Sequence, residues 1–109
     1  GVKVYRALLT QYSTNDPVVT VLENTLGGVP VWTRDGAGEY TCTATGLFTV
    51  NKTLVNLKLY GDTAATQKRL EVTDLDANVF NFFQMDYTAG ENFTDTIAAP
   101  TWVEIIVYP

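Results

Sequence analysis

The sequence predicts an all-β fold: one antiparallel β-sandwich, jelly-roll-like, of about eight short strands, with residues 1–109 forming a single domain. Threonine accounts for 17 of 109 residues, and most threonines alternate with apolar residues, as in residues 40–45. Such alternation is typical of a half-buried strand, because successive side chains point to opposite faces of a sheet. No segment keeps a helical period over three turns, so the pattern favours strands throughout.

In the N-terminal half, turn residues divide the alternating runs into strands. The cluster at 13–17 combines Asn and Asp, which hydrogen-bond their own backbone, with Pro, which fixes φ. Asp35 and Gly36 are typical of a tight hairpin, which needs positive φ. Cys42 alternates with apolar neighbours and is interpreted as a small core residue. The strands predicted here are residues 2–11, 18–23, 31–34, 39–45 and 47–50.

The C-terminal half shows clear alternation and a high aromatic content. Val55, Leu57 and Leu59 are expected to point inward from one strand. Polar residues predict loops at 61–68 and 87–100. The strands predicted here are residues 54–60, 69–73, 79–85 and 102–108, which gives the spacing of a sandwich or barrel.

The last predicted strand is apolar on both faces. One face carries Val103, Ile105 and Val107, and the opposite face carries Trp102, Ile106 and Tyr108. Either it is a central strand between the core and a long loop, or one of its faces meets a neighbouring subunit. The heavy aromatic content of this small domain favours the second interpretation. The predicted assembly face consists of Trp102, Ile105, Ile106, Tyr108 and Phe83.

The charge distribution argues against several partners. The net charge is −5 and the seven basic residues are scattered, whereas a phosphate backbone or an anionic membrane attracts clustered Lys and Arg. No apolar run approaches the roughly 20 residues that span a bilayer. Charged residues make up only 17%, which fits either a surface partly covered by another chain or a weakly charged free surface.

The residues needed for common catalytic chemistry are missing. The chain has no His, one Cys and one Ser, so a Ser-His-Asp triad is excluded and zinc has no ligand set. No carboxylate pair stands in a recognisable motif. We therefore expect a protein that is not an enzyme, with no catalytic, cofactor-binding or metal-binding residues.

Residues 74–78, DLDAN, match the start of a calcium-binding loop. An EF-hand loop would then need Gly at its sixth position and Glu at its twelfth, where this chain has Val79 and Met85. The EF-hand interpretation therefore fails. A solvated turn and a looser calcium site remain as alternatives.

Carbohydrate binding is the alternative function, because aromatic rings stack on sugars while carboxylates and amides bind hydroxyl groups. Aromatic residues in strands also serve as core or interface residues. A glycan is therefore the alternative partner. The rings considered for this role are Trp32, Trp102, Tyr40, Tyr60 and Tyr87.

Several stretches resemble small β-sandwich structural proteins of bacterial viruses. They are VYRALLTQ at 4–11, VLENTLGG at 21–28, VWTR at 31–34, GEY at 38–40 and VEIIVYP at 103–109. The resemblance implies a virion component of the fibre, appendage or capsid-decoration type, with no catalytic residues. It implies a homo-oligomer, with a trimer favoured, that also contacts other virion proteins. Such a protein is made in the host cytoplasm without a signal peptide, and none is seen before the first predicted strand.

Overall fold

The computed structural model describes residues 1–59, 68–86, 92–94 and 97–109. These residues contain nine strands and no helix. The strands are β1 (Lys3–Gln11), β2 (Val18–Asn24), β3 (Val31–Gly36), β4 (Glu39–Thr43), β5 (Thr53–Leu59), β6 (Lys68–Thr73), β7 (Val79–Asp86), β8 (Asn92–Phe93) and β9 (Ile97–Val107).

The strands form two antiparallel sheets packed face to face, so the predicted β-sandwich is confirmed. The first sheet has the order β2-β1-β9-β5, and the second has the order β3-β4-β7-β6, with β8 pairing β7 beyond Glu39, the first residue of β4. The first and last strands are therefore neighbours at the centre of one sheet. β1–β2, β3–β4 and β6–β7 are antiparallel pairs of consecutive strands.

Alternation along each strand builds the core between the sheets. In β1, Tyr5, Ala7 and Leu9 are fully buried, and the residues between them are only partly buried. Burying a large apolar side chain contributes roughly 1.5–3 kcal/mol. The core consists of Tyr5, Ala7, Leu9, Leu26, Trp32, Tyr40, Cys42, Ala44, Phe48, Phe80, Phe82, Val103, Ile105 and Val107.

An aromatic cluster fills the centre of this core. The Trp32 ring meets Phe80 and Phe82 edge-on, at centroid distances of 5.9 and 5.7 Å. Tyr40 stacks on Phe82 at 5.0 Å. Trp32 Nε1 donates to the hydroxyl of Tyr5 at 3.3 Å, which ties the two sheets together. Each such ring pair is worth about 0.5–1.5 kcal/mol beyond the area that it buries.

The hairpin predicted at Asp35 and Gly36 is present, but the residue with positive φ is a different one. Gly38 has φ of +65°, while Gly36 belongs to the end of β3 and pairs with Glu39. The register of the pair shifts between Arg34 and Gly36. Because of this irregular pairing the turn is longer than a two-residue turn at Asp35 and Gly36, and the residue with left-handed backbone conformation is Gly38.

Two predicted strand segments are turns. β4 ends at Thr43, because the next amide, that of Ala44, bonds the Asn78 carbonyl at 2.7 Å instead of a strand partner. The segment predicted as a strand at 47–50 is not one: Leu47 N donates to Ala44 O at 2.9 Å, and Lys52 N donates to Thr49 O at 3.0 Å. Local turn bonds replace the ladder there.

The last strand begins at Ile97, so the expectation of a start at Trp102 was wrong. Its pairing with β1 shifts register between Leu9 and Gln11, and Pro100 lies in this irregular part. Proline cannot donate to a ladder and is tolerated in a sheet interior only at such a bulge.

Two predicted loops lie partly outside the described residues. Of the loop predicted at 61–68, only Lys68 is described, and it begins β6. Of the loop predicted at 87–100, residues 92–93 and 97–100 belong to strands.

Candidate functional site

The solvent-facing side of the first sheet carries an ordered array of side chains, which we call the outer face. Three residues that pair across β1, β9 and β5 form each row of this array. The Ile106 row is Val4, Ile106 and Leu54; the Glu104 row is Arg6, Glu104 and Asn56; and the Trp102 row is Leu8, Trp102 and Lys58. These residues point outward because their neighbours along each strand point into the core.

Apolar side chains are concentrated at one end of the outer face. Leu54 is 59% exposed, although it belongs to a strand of the sheet. Val2 and Tyr108 continue the same alternation beyond the Ile106 row and are also exposed. Val4 and Ile106 between them are half-buried. Contiguous exposed apolar residues of this kind typically mark an interaction surface.

An ion-pair network occupies the middle of the outer face. Arg6 Nε donates to Glu104 Oε2 at 2.9 Å, and Arg6 Nη1 contacts Glu23 Oε1 of β2. Hydrogen bonds to Glu104 and Glu23, in that order, raise the pKa of Arg6 above its usual value. Lys58 supplies a second cation in the neighbouring Trp102 row. The three rows and β2 therefore combine apolar side chains with two cations and two carboxylates.

The five residues of the predicted assembly face do not share one surface. Trp102 and Ile106 lie on the outer face, and Tyr108 is exposed beyond its end. Ile105 is fully buried in the core, because a step of one residue along a strand reverses the side-chain direction. Phe83 belongs to β7 of the second sheet and points away from the first. The prediction was wrong for Ile105 and Phe83 as members of the Trp102 surface.

The second sheet carries a different feature on its own solvent side, a cleft with a volume of about 260 Å³. The Thr41 hydroxyl lies 3.0 Å from Asn81 Oδ1 and within contact of Asp35. Asn81 Nδ2 donates to Asp74 at 3.5 Å. Carboxylates, an amide and an aromatic ring thus surround one opening. The lining residues are Asp35, Glu39, Tyr40, Thr73, Asp74, Asn81, Phe82 and Phe83.

The sequence DLDAN at 74–78 forms a turn between β6 and β7. Asp76 Oδ1 accepts hydrogen bonds from the amides of Asn78 at 2.7 Å and Val79 at 2.9 Å. Asp74, with φ of +53°, is directed toward Asn81 instead. Among the residues that the structure describes, no three His, Cys, Asp or Glu side chains are grouped to hold a metal ion.

The aromatic residues considered for sugar binding are placed in three different environments. Trp32 and Tyr40 are core residues. Trp102 is half-buried on the outer face of the first sheet. Tyr60 and Tyr87 lie outside the described residues.

The cleft side of the second sheet has a ring pair that sequence reasoning missed. Phe93 is 49% exposed and packs edge-on against Phe83 at 5.6 Å. Phe93 belongs to β8, a strand of two residues inside a predicted loop. No periodic signal marks so short a strand.

The described residues include no helix that is long and apolar enough to cross a membrane. No protein-family model matches the chain, and neither a curated protein nor a solved structure is significantly similar to it.

Proposed function

We propose that this chain is a non-enzymatic structural protein of a bacterial virus, acting as a fibre, appendage or capsid-decorating component that assembles through the outer face of the first sheet. The observation that carries the proposal is the apolar end of that face, where Leu54 is 59% exposed in one row with Ile106 and Val4. The resemblance of the strand-edge and turn stretches to virion proteins supports the viral context. The partners are copies of the chain and other virion proteins.

The arrangement of apolar and charged side chains on the outer face favours contact with a broad partner surface. The Ile106 and Trp102 rows place apolar side chains on both sides of the Arg6–Glu104 pair. Covering them gains roughly 25 cal/mol per Å² of apolar area removed from water. An apolar surface with a few paired charges is the usual composition of an interface between subunits.

Measuring mass in solution and incorporation into particles tests the proposal. Leu54→Asp places a charge on the apolar end of the outer face without entering the core. We expect it to lower the assembled mass by light scattering and to reduce the amount of chain in purified particles. Val31→Asp is the matched control, because Val31 is 56% exposed on an edge strand of the other sheet. Equal assembly of both variants and the native chain would overturn the proposal.

A second candidate function is glycan binding in the cleft of the second sheet. Three carboxylates and the Asn81 amide stand beside the Phe83 ring around this opening, and such groups bind sugar hydroxyls and ring faces. Calorimetric titration with a panel of oligosaccharides tests it. Binding that Phe83→Ala removes and Trp102→Phe leaves intact would support this function, and absence of binding to the panel by the native chain would count against it.

A further inference from the structure

We propose that the outer face of the first sheet packs against the same face of a second copy, around a twofold axis. The axis lies between the two copies, parallel to the strands and over the gap between β1 and β9. This inference rests on the proposed function and names the immediate partner. Two sheets that pack face to face keep their strands within about 30° of each other, and a twofold axis makes both copies use the same patch.

The strand register makes the outer face complementary to itself under this axis. The axis exchanges β1 with β9 and β2 with β5, while each row keeps its position along the strands. Val4 of one copy then faces Ile106 of the second copy, since these residues pair in one row. In the same way Leu8 faces Trp102 of the second copy. At the β1 and β9 positions of these two rows, apolar side chains therefore meet apolar side chains.

The charges also meet opposite charges. In the Glu104 row, Arg6 of one copy faces Glu104 of the second copy. The exchange of β2 with β5 brings Lys58 over the β2 strand of the other copy, where Glu23 lies one row away. One row is two residues, or about 6–7 Å along a strand, which a lysine side chain spans. Each of the four charges thus gains a partner of opposite sign.

The two sheets differ in their capacity for self-association. Within its three rows and β2, the outer face of the first sheet has two cations and two carboxylates, whereas the chain has a net charge of −5. The solvent side of the second sheet carries four described carboxylates and one guanidinium, a net charge of −3. Two copies meeting through the second sheet would repel each other. The residues behind that count are Asp35, Glu39, Glu71, Asp74 and Arg69.

Charge reversal across the proposed contact provides the test. Lys58→Glu and Glu23→Lys each place like charges together, so we expect each to weaken the dimer at least tenfold in sedimentation equilibrium of the purified chain. The double variant exchanges the two charges and should restore the dimer. Restoration of the dimer would identify the contact between copies as its cause. Glu23→Lys also removes the contact of Glu23 with Arg6 within one copy, and Lys58→Glu cannot repair that loss. Arg69→Glu and Glu39→Lys on the second sheet are the matched controls and should leave the dimer unchanged.

The outcomes separate this inference from the proposed function. A dimer that either reversal weakens and the double variant restores supports the twofold contact. A trimer, or a dimer indifferent to both reversals, overturns it, while assembly sensitive to Leu54→Asp still supports the proposed function. A chain that is monomeric alone but enters particles through Leu54 also overturns only the twofold contact. A monomer absent from particles overturns both.

Discussion

At the scale of single residues, Cys42 shows how thoroughly the core excludes water. Its side chain is fully buried, and this burial raises the pKa of the thiol to about 12. The thiolate, which is the reactive form, is therefore scarce in the folded chain at neutral pH. Cys42 behaves as a small apolar residue, as the alternation along β4 predicts.

The raised pKa of Cys42 predicts a loss of stability in alkaline solution. The unfolded thiol ionises near 9.0, its ordinary value, and the folded one does not. The stabilisation is therefore complete below pH 9 and is lost progressively as the pH rises toward 12. At pH 10.5 we expect Cys42 to account for about 2 kcal/mol of the fall in the free energy of unfolding.

Urea denaturation at pH 8 and pH 10.5 measures this contribution. Cys42→Ala serves as the control, because it lacks the thiol and should lose less stability between the two pH values. Part of the fall should remain in this variant, since burial also raises the pKa of Tyr5. Identical pH dependence of both chains would contradict the assignment.

Ile105 and Ile106 show what alternation along a single strand can and cannot predict. Alternation predicts that the two side chains lie on opposite faces of the last strand, and they do. It does not reveal which face the chain itself covers. That is decided by the second sheet, whose residues such as Phe80 are distant in sequence. The sequence therefore predicts Ile105 on the assembly face, although the residue belongs to the core.

At the scale of strands, the β3–β4 hairpin depends on one glycine. Gly38 O accepts a hydrogen bond from Gln84 N at 2.8 Å, and a Cβ at Gly38 would lie 2.6 Å from Thr94 N and 2.7 Å from Gln84 O. The hairpin tip thus packs directly on the backbone of β7 and on the residue after β8. A side chain has no room there.

Gly38→Ala should therefore destabilise the fold by several kcal/mol, well beyond the roughly 1–2 kcal/mol that a left-handed conformation alone costs. Gly46→Ala is the matched control: Gly46 also has positive φ, at +72°, but nothing lies near its Cβ position. Thermal unfolding of both variants separates the clash from the conformational cost. Equal melting temperatures would show that the hairpin tip is not packed as described.

The two sheets also differ in how far the sequence predicts their surfaces. Alternation along the last strand predicts that Trp102 and Ile106 share one face, and both lie on the outer face. The cleft was not predicted, because its lining residues come from β3, β4, β6, β7 and the turn after β6, which are neighbours only through the order β3-β4-β7-β6. Alternation along one strand predicts which of its side chains share a face. A site formed by residues of several strands can be predicted only when the order of those strands in the sheet is known.

The pairing of β1 with β9 brings the first and last strands together at the centre of one sheet. Lys3 pairs with Val107, so the centre of the first sheet forms only when segments about a hundred residues apart meet. Pairings of this kind are slow, because the entropy of closing a long loop is lost before the contacts form. The same adjacency leaves Gly1 and Pro109 exposed at one end of that sheet.

A circular permutant exploits this adjacency. A linker of about five glycine and serine residues would join Pro109 to Gly1, with new ends between Gly27 and Gly28, where Gly27 has no atom near its Cβ position. The permuted loop between β1 and β9 is about tenfold shorter, which lowers the closure cost by about 2 kcal/mol. We expect the permutant to keep the fold and, since this pairing is the longest-range contact, to refold about tenfold faster in stopped-flow experiments. A native chain carrying the same linker as an unjoined C-terminal extension is the control, and a permutant that refolds no faster than this control would show that another step, not the meeting of the two chain ends, limits folding.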